Sequence, residues 1–341
     1  MDMMRVVYYK WKGINLLRKT SIFILSLTFL ILCYFTFISA KKVFRSDWQL
    51  SQTMSQNEHQ HRLVLITQDL ETSFWDQVET GARNQALKEG ASLEVWGSYG
   101  NNQEDFLEKI EIALHSKVDG IIVQGLDNDE FKNLTKIKAS FYGIPIITIA
   151  NDVPMSESFR RTFVGSDQYQ AGRMIANELT NDMGTSGTVV LMYDSDQEYY
   201  QNQRLSGIQD VLNVYPNIKM VLAETSESRE QVLTTTQDVM NLNPDVDAFI
   251  AVNANITTGL VQGISKRSQV EPYYIYSFDD GPDTLTLMKE AKLDGVVKQS
   301  PEMMGKISVQ LIMDWLNGGT APLDIEGYFT DIHFMKAVDV E

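Results

Sequence analysis

From Arg62 onward, short apolar and β-branched runs alternate with stretches whose apolar residues recur every three or four positions. The runs at 62–67, 92–97, 120–124 and 144–149 predict a first series of strands, and those at 188–194, 219–223, 247–253, 273–279 and 295–299 a second. Between them, Val78, Ala82 and Ala86 mark a helix over 75–89, and Phe106, Ile110 and Leu114 another over 103–115. Further helices are expected at 168–183, stopped by Gly184, at 200–215 before Pro216, at 228–242 before Pro244, and at 282–291. Continuous apolar strands separated by amphipathic helices predict an α/β fold with parallel sheets covered on both faces. The series is longer than one open sheet usually carries, so two doubly wound lobes are expected. A closed (β/α)₈ barrel is the rival, but its ring needs a fixed number of strands.

Upstream the pattern is different. Residues 21–40, SIFILSLTFLILCYFTFISA, hold no charge, glycine or proline and match the length of a membrane-crossing helix. Lys10, Lys12, Arg18 and Lys19 precede the span, which predicts a cytoplasmic segment 1–20 and a single-pass cell-membrane protein with the rest extracytoplasmic. Lys41, Lys42 and Arg45 weaken that asymmetry. A cleaved signal peptide with its exit at Ala40 is the competing reading. A lipidation site at Cys33 is disfavoured by bulky Leu32 and by the apolar residues that follow. Residues 41–61 are polar and aperiodic and read as a stalk; His59 and His61 lack companions for a metal site.

Charge narrows the function. The net charge is −16, and residues 46–341 carry 21 basic and 44 acidic side chains. An acidic body cannot neutralise phosphates with a basic face, which disfavours nucleic acid as a partner. No G-x-S-x-G, H-E-x-x-H or phosphate-binding glycine loop occurs, so no enzyme and no cofactor is expected. Asp279 and Asp280 are adjacent and point apart, a poor pair for glycoside hydrolysis.

In doubly wound sheets, ligands sit beyond the carboxyl ends of the strands. There this sequence places Thr72, Phe74 and Trp75 after the first strand, and Asn151 and Asp152 after the fourth. Asn253 and Asn255, Asp279 and Asp280, and Gln299 follow later strands. Amides and carboxylates answer the paired donors and acceptors of sugar hydroxyls, and aromatic faces suit the C–H faces of a sugar ring. Each has a structural alternative: Phe74 and Trp75 as apolar staples at a helix start, and Asn253 or Asp279 as helix caps. Asp167 is read as an N-cap.

The stretches SFWDQVETGARNQALKEG, VDGIIVQGLDNDEF, GIPIITIAND, FVGSDQYQAGRMIANEL, YYQNQRLSGIQDVL, DVDAFIAVNANITTG, SFDDGPDTL and GVVKQSPEMMG run in order along the chain. Together they resemble the periplasmic sugar-binding proteins of the ribose/galactose/xylose type. They are also similar to the ligand-binding half of lactose-repressor-type regulators, but the membrane segment stands where those begin with a helix-turn-helix. The resemblance implies a lobe of 62–165 plus 300–328, a second of 166–299 plus 329–341, and chain crossings near Gly165, Gln299 and Tyr328. It implies ligand contacts at Phe74, Trp75, Asn253, Asp279 and Gln299. Two positions depart from the ribose binders: Ala150-Asn151, with Asp152 next, replaces an Asp-Arg pair, and Asn202 replaces an arginine. Loss of two planar cationic forks changes which sugar fits; Tyr199 and Tyr200 are candidates to compensate, and Arg204 is read as structural. Asn151, Asp152 and Asn202 complete the expected ligand set. The resemblance implies a sugar receptor serving a membrane histidine kinase or an ABC permease. The absent lipidation site favours the kinase, and the twenty residues before the span are too few to be one.

Overall fold

Most of the predicted strand runs lie in the interiors of two sheets, where neighbours on both sides satisfy the backbone and helices cover both faces. That environment explains their unbroken apolarity: β1 (Arg62–Thr67), β3 (Gly120–Gln124) and β4 (Ile146–Ile149) in the first sheet, and β6 (Ser186–Asp194), β8 (Val246–Ala251) and β9 (Tyr274–Phe278) in the second, are buried at nearly every position. By contrast β2 (Ser92–Gly97) and β7 (Asn217–Thr225) are edge strands, and their burial alternates. The computed structural model describes residues 60–100, 102–195, 198–226, 228–267, 273–319 and 322–340, together with 29 and 31–36.

The first sheet runs in the order β11-β5-β4-β3-β1-β2 and the second β12-β10-β9-β8-β6-β7, where β5 is Thr162–Ser166, β10 Gly295–Lys298, β11 Tyr328–Thr330 and β12 His333–Lys336. All pairings are parallel except β10 with β12. Two open sheets replace the barrel alternative. β5 has no counterpart among the predicted strands, because its TFVGS sequence is short and mixes glycine with hydroxyls; burial on both faces makes it a strand. The run predicted from 144 pairs only from Ile146, since Pro145 has no N–H to donate.

Each lobe buries both faces of its sheet. On the first, α1 (Ser73–Glu89) and α9 (Pro301–Leu316) cover one face. The other face carries α2 (Gln103–His115) and α3, which runs from Asp129–Asn133 through a π-helical Leu134–Ala139 to Ser140–Tyr142. On the second sheet, α4 (Gln168–Met183) and α5 (Tyr199–Leu212) take one face, and α6 (Arg229–Leu242), α7 (Ala254–Arg267) and α8 (Pro282–Lys289) the other. The helix pairs α1/α9 and α4/α5 cross on reciprocal glycines. A Cβ on Gly81 would lie 1.9 Å from the Glu302 carbonyl oxygen and one on Gly305 2.0 Å from that of Val78. In the second lobe Gly172 and Gly207 meet the Arg204 and Tyr169 carbonyls at 2.1 Å each.

The chain passes between lobes three times: from β5 into α4, from β10 into α9, and from β11 into β12. Asp167 caps α4, its carboxylate accepting the Gln170 N–H at 2.9 Å, and Thr72 caps α1, accepting from Trp75 at 3.3 Å. The segment 21–40 read as a membrane span lies largely outside the described residues. Within it Phe29 and 31–36 are helical and exposed, and among the described residues no helix is long and apolar enough to cross a membrane. His59 also lies outside them; His61 Nε2 is 3.3 Å from the Asn317 side-chain oxygen.

Candidate functional site

The carboxyl edge of each sheet is a row of polar residues. In spatial order the first reads Ser166, Asn151, Gln124, Gln68 and Ser98 at the ends of β5, β4, β3, β1 and β2; the second reads Gln299, Asp279, Asn253, Asp194 and Thr225 after β10, β9, β8, β6 and β7. The two rows meet: Asn151 Nδ2 donates to Glu198 Oε2 at 3.1 Å, from the end of β4 to the start of α5. Burial raises the Tyr199 phenol above its ordinary pKa; the Asp152 carboxylate adds to this and the Arg160 guanidinium opposes it, so this α5 residue feels first-lobe charges.

The first edge is held by its own side chains. Gln124 Oε1 accepts from the Thr67 hydroxyl (3.1 Å) and the Gln68 N–H (3.0 Å), and Asn151 Nδ2 donates to the Gly125 carbonyl (3.0 Å). Both amide atoms of Gln68, Oδ1 of Asn151 and Oγ of Ser166 are buried and have no hydrogen-bond partner among the described residues. Buried polar groups in folded proteins are normally paired, so a row of unpaired ones at a strand edge is where a hydroxylated ligand would be received. Asp152 is already engaged. Arg160 grips it as a two-pronged fork (2.6 and 2.7 Å), the Thr148 hydroxyl donates to it at 2.6 Å, and Arg160 also donates to the Ile325 carbonyl at 2.8 Å. Asp152, read from sequence as a ligand contact, is therefore half of a buried ion pair, and its arginine arrives from eight residues downstream.

In the second lobe the charge is shared among four side chains. Arg204, 2% exposed, donates through Nε to Gln168 Oε1 (2.8 Å) and through Nη1 to the Val252 carbonyl (2.9 Å). Gln168 Nε2 donates to Gln299 Oε1 (2.9 Å), and Gln299 Nε2 to Asp279 Oδ1 (2.5 Å). Asp279 Oδ2 lies 3.8 Å from Arg204 Nη2, closing the circuit. Burial lowers the Arg204 pKa and the Asp279 charge opposes that; the guanidinium stays charged and lies over the Phe278 ring at 4.0 Å and the Tyr200 ring at 4.9 Å. Arg204, read from the sequence as structural, holds Gln168 directly and faces Asp279, while Gln299 bridges these two.

Asp279 has φ 66° and its N–H bonds the Val297 carbonyl at 2.9 Å. The left-handed backbone is costly for a non-glycine residue and here turns the carboxylate out of the strand toward the edge, where a quarter of it is exposed. It is not the cap of α8; Gly281 is. Asn253 does take the capping geometry, its Oδ1 accepting the Asn255 N–H at 3.0 Å. Trp75 is 7% exposed within the core of the first lobe, and Phe74 is half-buried with the two rings edge to face at 5.4 Å. Trp75 thus packs into the core, as its structural alternative had it, and Phe74 lies half-buried against the same cluster. Asn202 is exposed on α5. The structure accordingly places Asn151, Asp279, Gln299 and Asn253 at the strand edges, joins Asp279 to Gln299, and adds Gln68, Gln124, Gln168 and Glu198, which the sequence reading missed. Gln68 was findable as the first polar residue after a buried strand; the others depend on tertiary pairing. No cluster of three metal-ligating side chains occurs among the described residues.

A family model described as Periplasmic binding protein domain matches residues 63–320. The ribose import binding protein RbsB of Bacillus subtilis is 23% identical over 279 residues, covering 80% of this chain and 89% of that protein. Among solved structures, GanP, a glucose-galactose binding protein from Geobacillus stearothermophilus, aligns with a TM-score of 0.77 at 27% identity, over 83% of this chain and 99% of its own. The XylFII-LytSN complex contains a chain that aligns with a TM-score of 0.73 at 25% identity, over 83% of this chain and 100% of its own.

Proposed function

Since the chain belongs to the periplasmic binding protein domain family, we propose that it is a receptor which closes around a monosaccharide-like ligand between its two polar edges and carries no catalysis. One observation bears most of the weight: unpaired buried groups at Gln68, Asn151 and Ser166 line one edge, an acid, Asp279, and its amide neighbour Gln299 line the other, and Asn151 bonds Glu198 from one edge to the other. Uncharged polyols satisfy such groups from both sides at once, and contacts made in both lobes shift the population toward the closed form. Phe74 supplies the apolar face for the ring. Sugar-binding relatives, among them the ribose import binding protein and the glucose-galactose binding protein, support the ligand class.

The same reading has the receptor held at the cell membrane by residues 21–40, with its lobes outside, sensing for a membrane partner such as a histidine kinase. Support for a protein partner comes from the neighbour solved as the XylFII-LytSN complex. Delivery to an ABC permease is the second reading, favoured by the import-binding relatives. A thermal-shift screen of the full chain in detergent against D-ribose, D-xylose, D-galactose, D-glucose, xylitol, inositols and amino acids tests the ligand class. At least one sugar should raise the unfolding midpoint. Asp279→Asn, which tolerates the left-handed backbone, should weaken that sugar about tenfold by removing a charge-assisted hydrogen bond. Stabilisation by amino acids alone, or an unaltered response in the variant, would sink the reading. Co-purification with a kinase or with a permease separates the two partner roles.

A further inference from the structure

We propose that Gln168 is a positioning residue that fixes the orientation of the Gln299 amide, and through it Asp279, and so ties the ligand-facing acid to two of the three chain crossings. The inference rests on the sugar-receptor reading only for what Asp279 grips. The polarity of the circuit is forced. A carboxylate only accepts, so Gln299 must turn its NH₂ to Asp279 and its oxygen to Gln168. Gln168 must then present NH₂ to Gln299, leaving its own oxygen for the Arg204 Nε–H. Each amide has one permitted orientation, and both are about 6% exposed, so water is a poor substitute for either partner.

Their positions in the chain give the circuit a mechanical role. Gln168 opens α4 just past the β5 crossing, and Gln299 lies between β10 and α9 at the second crossing. The amide–amide bond therefore joins two crossings directly, and the neighbouring Ser300 hydroxyl donates to the Asp331 carbonyl of the third at 2.9 Å. A rotation of one lobe against the other must carry this bond with it or break it. Ligand pulling on Asp279 or Gln299 is thereby felt where the lobes hinge.

Reversing the polarity tests this. Gln168→Glu keeps a partner for Arg204 but faces Gln299 with an acceptor; the Gln299 amide flips and opposes its oxygen to Asp279. Adding Asp279→Asn moves the negative charge to the other end of the circuit, so that the new carboxylate at position 168 accepts from Gln299 and the new amide at position 279 donates to it. In a Cys33→Ser background of the full chain, spin labels on Leu87→Cys in the first lobe and Leu242→Cys in the second, 82% and 80% exposed, report the interlobe distance by pulsed resonance without sugar. Gln168→Glu should shift or broaden the distribution, and the double variant should restore that of the parent. Whichever of D-ribose, D-xylose or D-galactose the parent binds should bind Gln168→Glu about tenfold more weakly, and the double variant no more weakly than Asp279→Asn alone. A distribution unchanged by Gln168→Glu, or a double variant as displaced as the single, overturns the proposal. Should Gln168→Glu not fold, Gln299→Leu removes the middle of the circuit without adding charge and must displace the distribution in the same way. A parent that binds none of the sugars defeats the receptor reading, while the sugar-free distances still decide the role of Gln168.

Discussion

The two lobes are built alike and charged differently. β1 to β5 of the first correspond in order to β6 to β10 of the second, and each lobe crosses one pair of helices on reciprocal glycines. Even the kink after the fourth strand repeats. Ala150 has φ 63° and bonds the Val164 carbonyl at 2.9 Å; Asp279 has φ 66° and bonds Val297 at 2.9 Å. At this shared left-handed position one lobe has an inert methyl and the other a carboxylate. Beside it, the first lobe's arginine is sealed against Asp152 in a short fork, whereas the second lobe's arginine reaches its acid at 3.8 Å and works through two amides. The scaffold sets where an edge residue sits, and the local pairing sets whether its charge serves the fold or stays within reach of a ligand.

The largest difference between the lobes is expected at the arginines. Arg160→Met strands a buried carboxylate and should cost about 3–5 kcal/mol in urea unfolding. Arg204→Met leaves an acid that is a quarter exposed and can be hydrated, so its cost should be nearer 1–3 kcal/mol, with the larger loss in sugar binding. The reverse ranking would contradict the division of labour. A smaller effect tests the shared scaffold: Gly305→Ala and Gly207→Ala should each destabilise by about 1–3 kcal/mol, because backbone and not a flexible side chain blocks the added Cβ. An alanine tolerated in one lobe alone would show that the crossings are not equivalent.

The smallest effect is a pH dependence. Burial pushes the Asp182 carboxyl up, but the Tyr276 hydroxyl (2.5 Å) and Lys336 (2.9 Å) outweigh it and leave the pKa below the ordinary value. A carboxyl whose pKa is depressed on folding stabilises above its unfolded pKa and loses that contribution as pH falls through the folded one. Asp182→Asn should therefore flatten the acid-side decline in stability below about pH 4, by less than roughly 1 kcal/mol given its partial exposure. Glu111 of the first lobe is also lowered, by its hydrogen bond to Lys138, but stands in solvent, so Glu111→Gln should leave the acid titration of stability unchanged.

Much of this was legible before any coordinates. Strands at 62–67, 92–97 and 120–124 and helices at 103–115 and 168–183 have the expected bounds, because interior parallel strands and amphipathic helices write their burial directly into the order of residues. Asp167 as a cap and Asp279 as an edge acid followed from their place beside an element's end. β5, α3 and α9 were missed: TFVGS is too short and polar to declare itself, and the π-helical turn of α3 has no period that a search at 3.6 residues finds.

What residue order alone determined, then, is the alternation of elements, hence two covered sheets, and the polar character of their edges, since period and turn chemistry are local properties. Tertiary structure decided the allegiances: that Asp152 belongs to Arg160, that Trp75 turns into the core while Phe74 stays half-buried, and that Gln168 meets Gln299 from 131 residues away. Such pairings are set by the distance between side chains after folding, and a linear chain carries no measure of that distance.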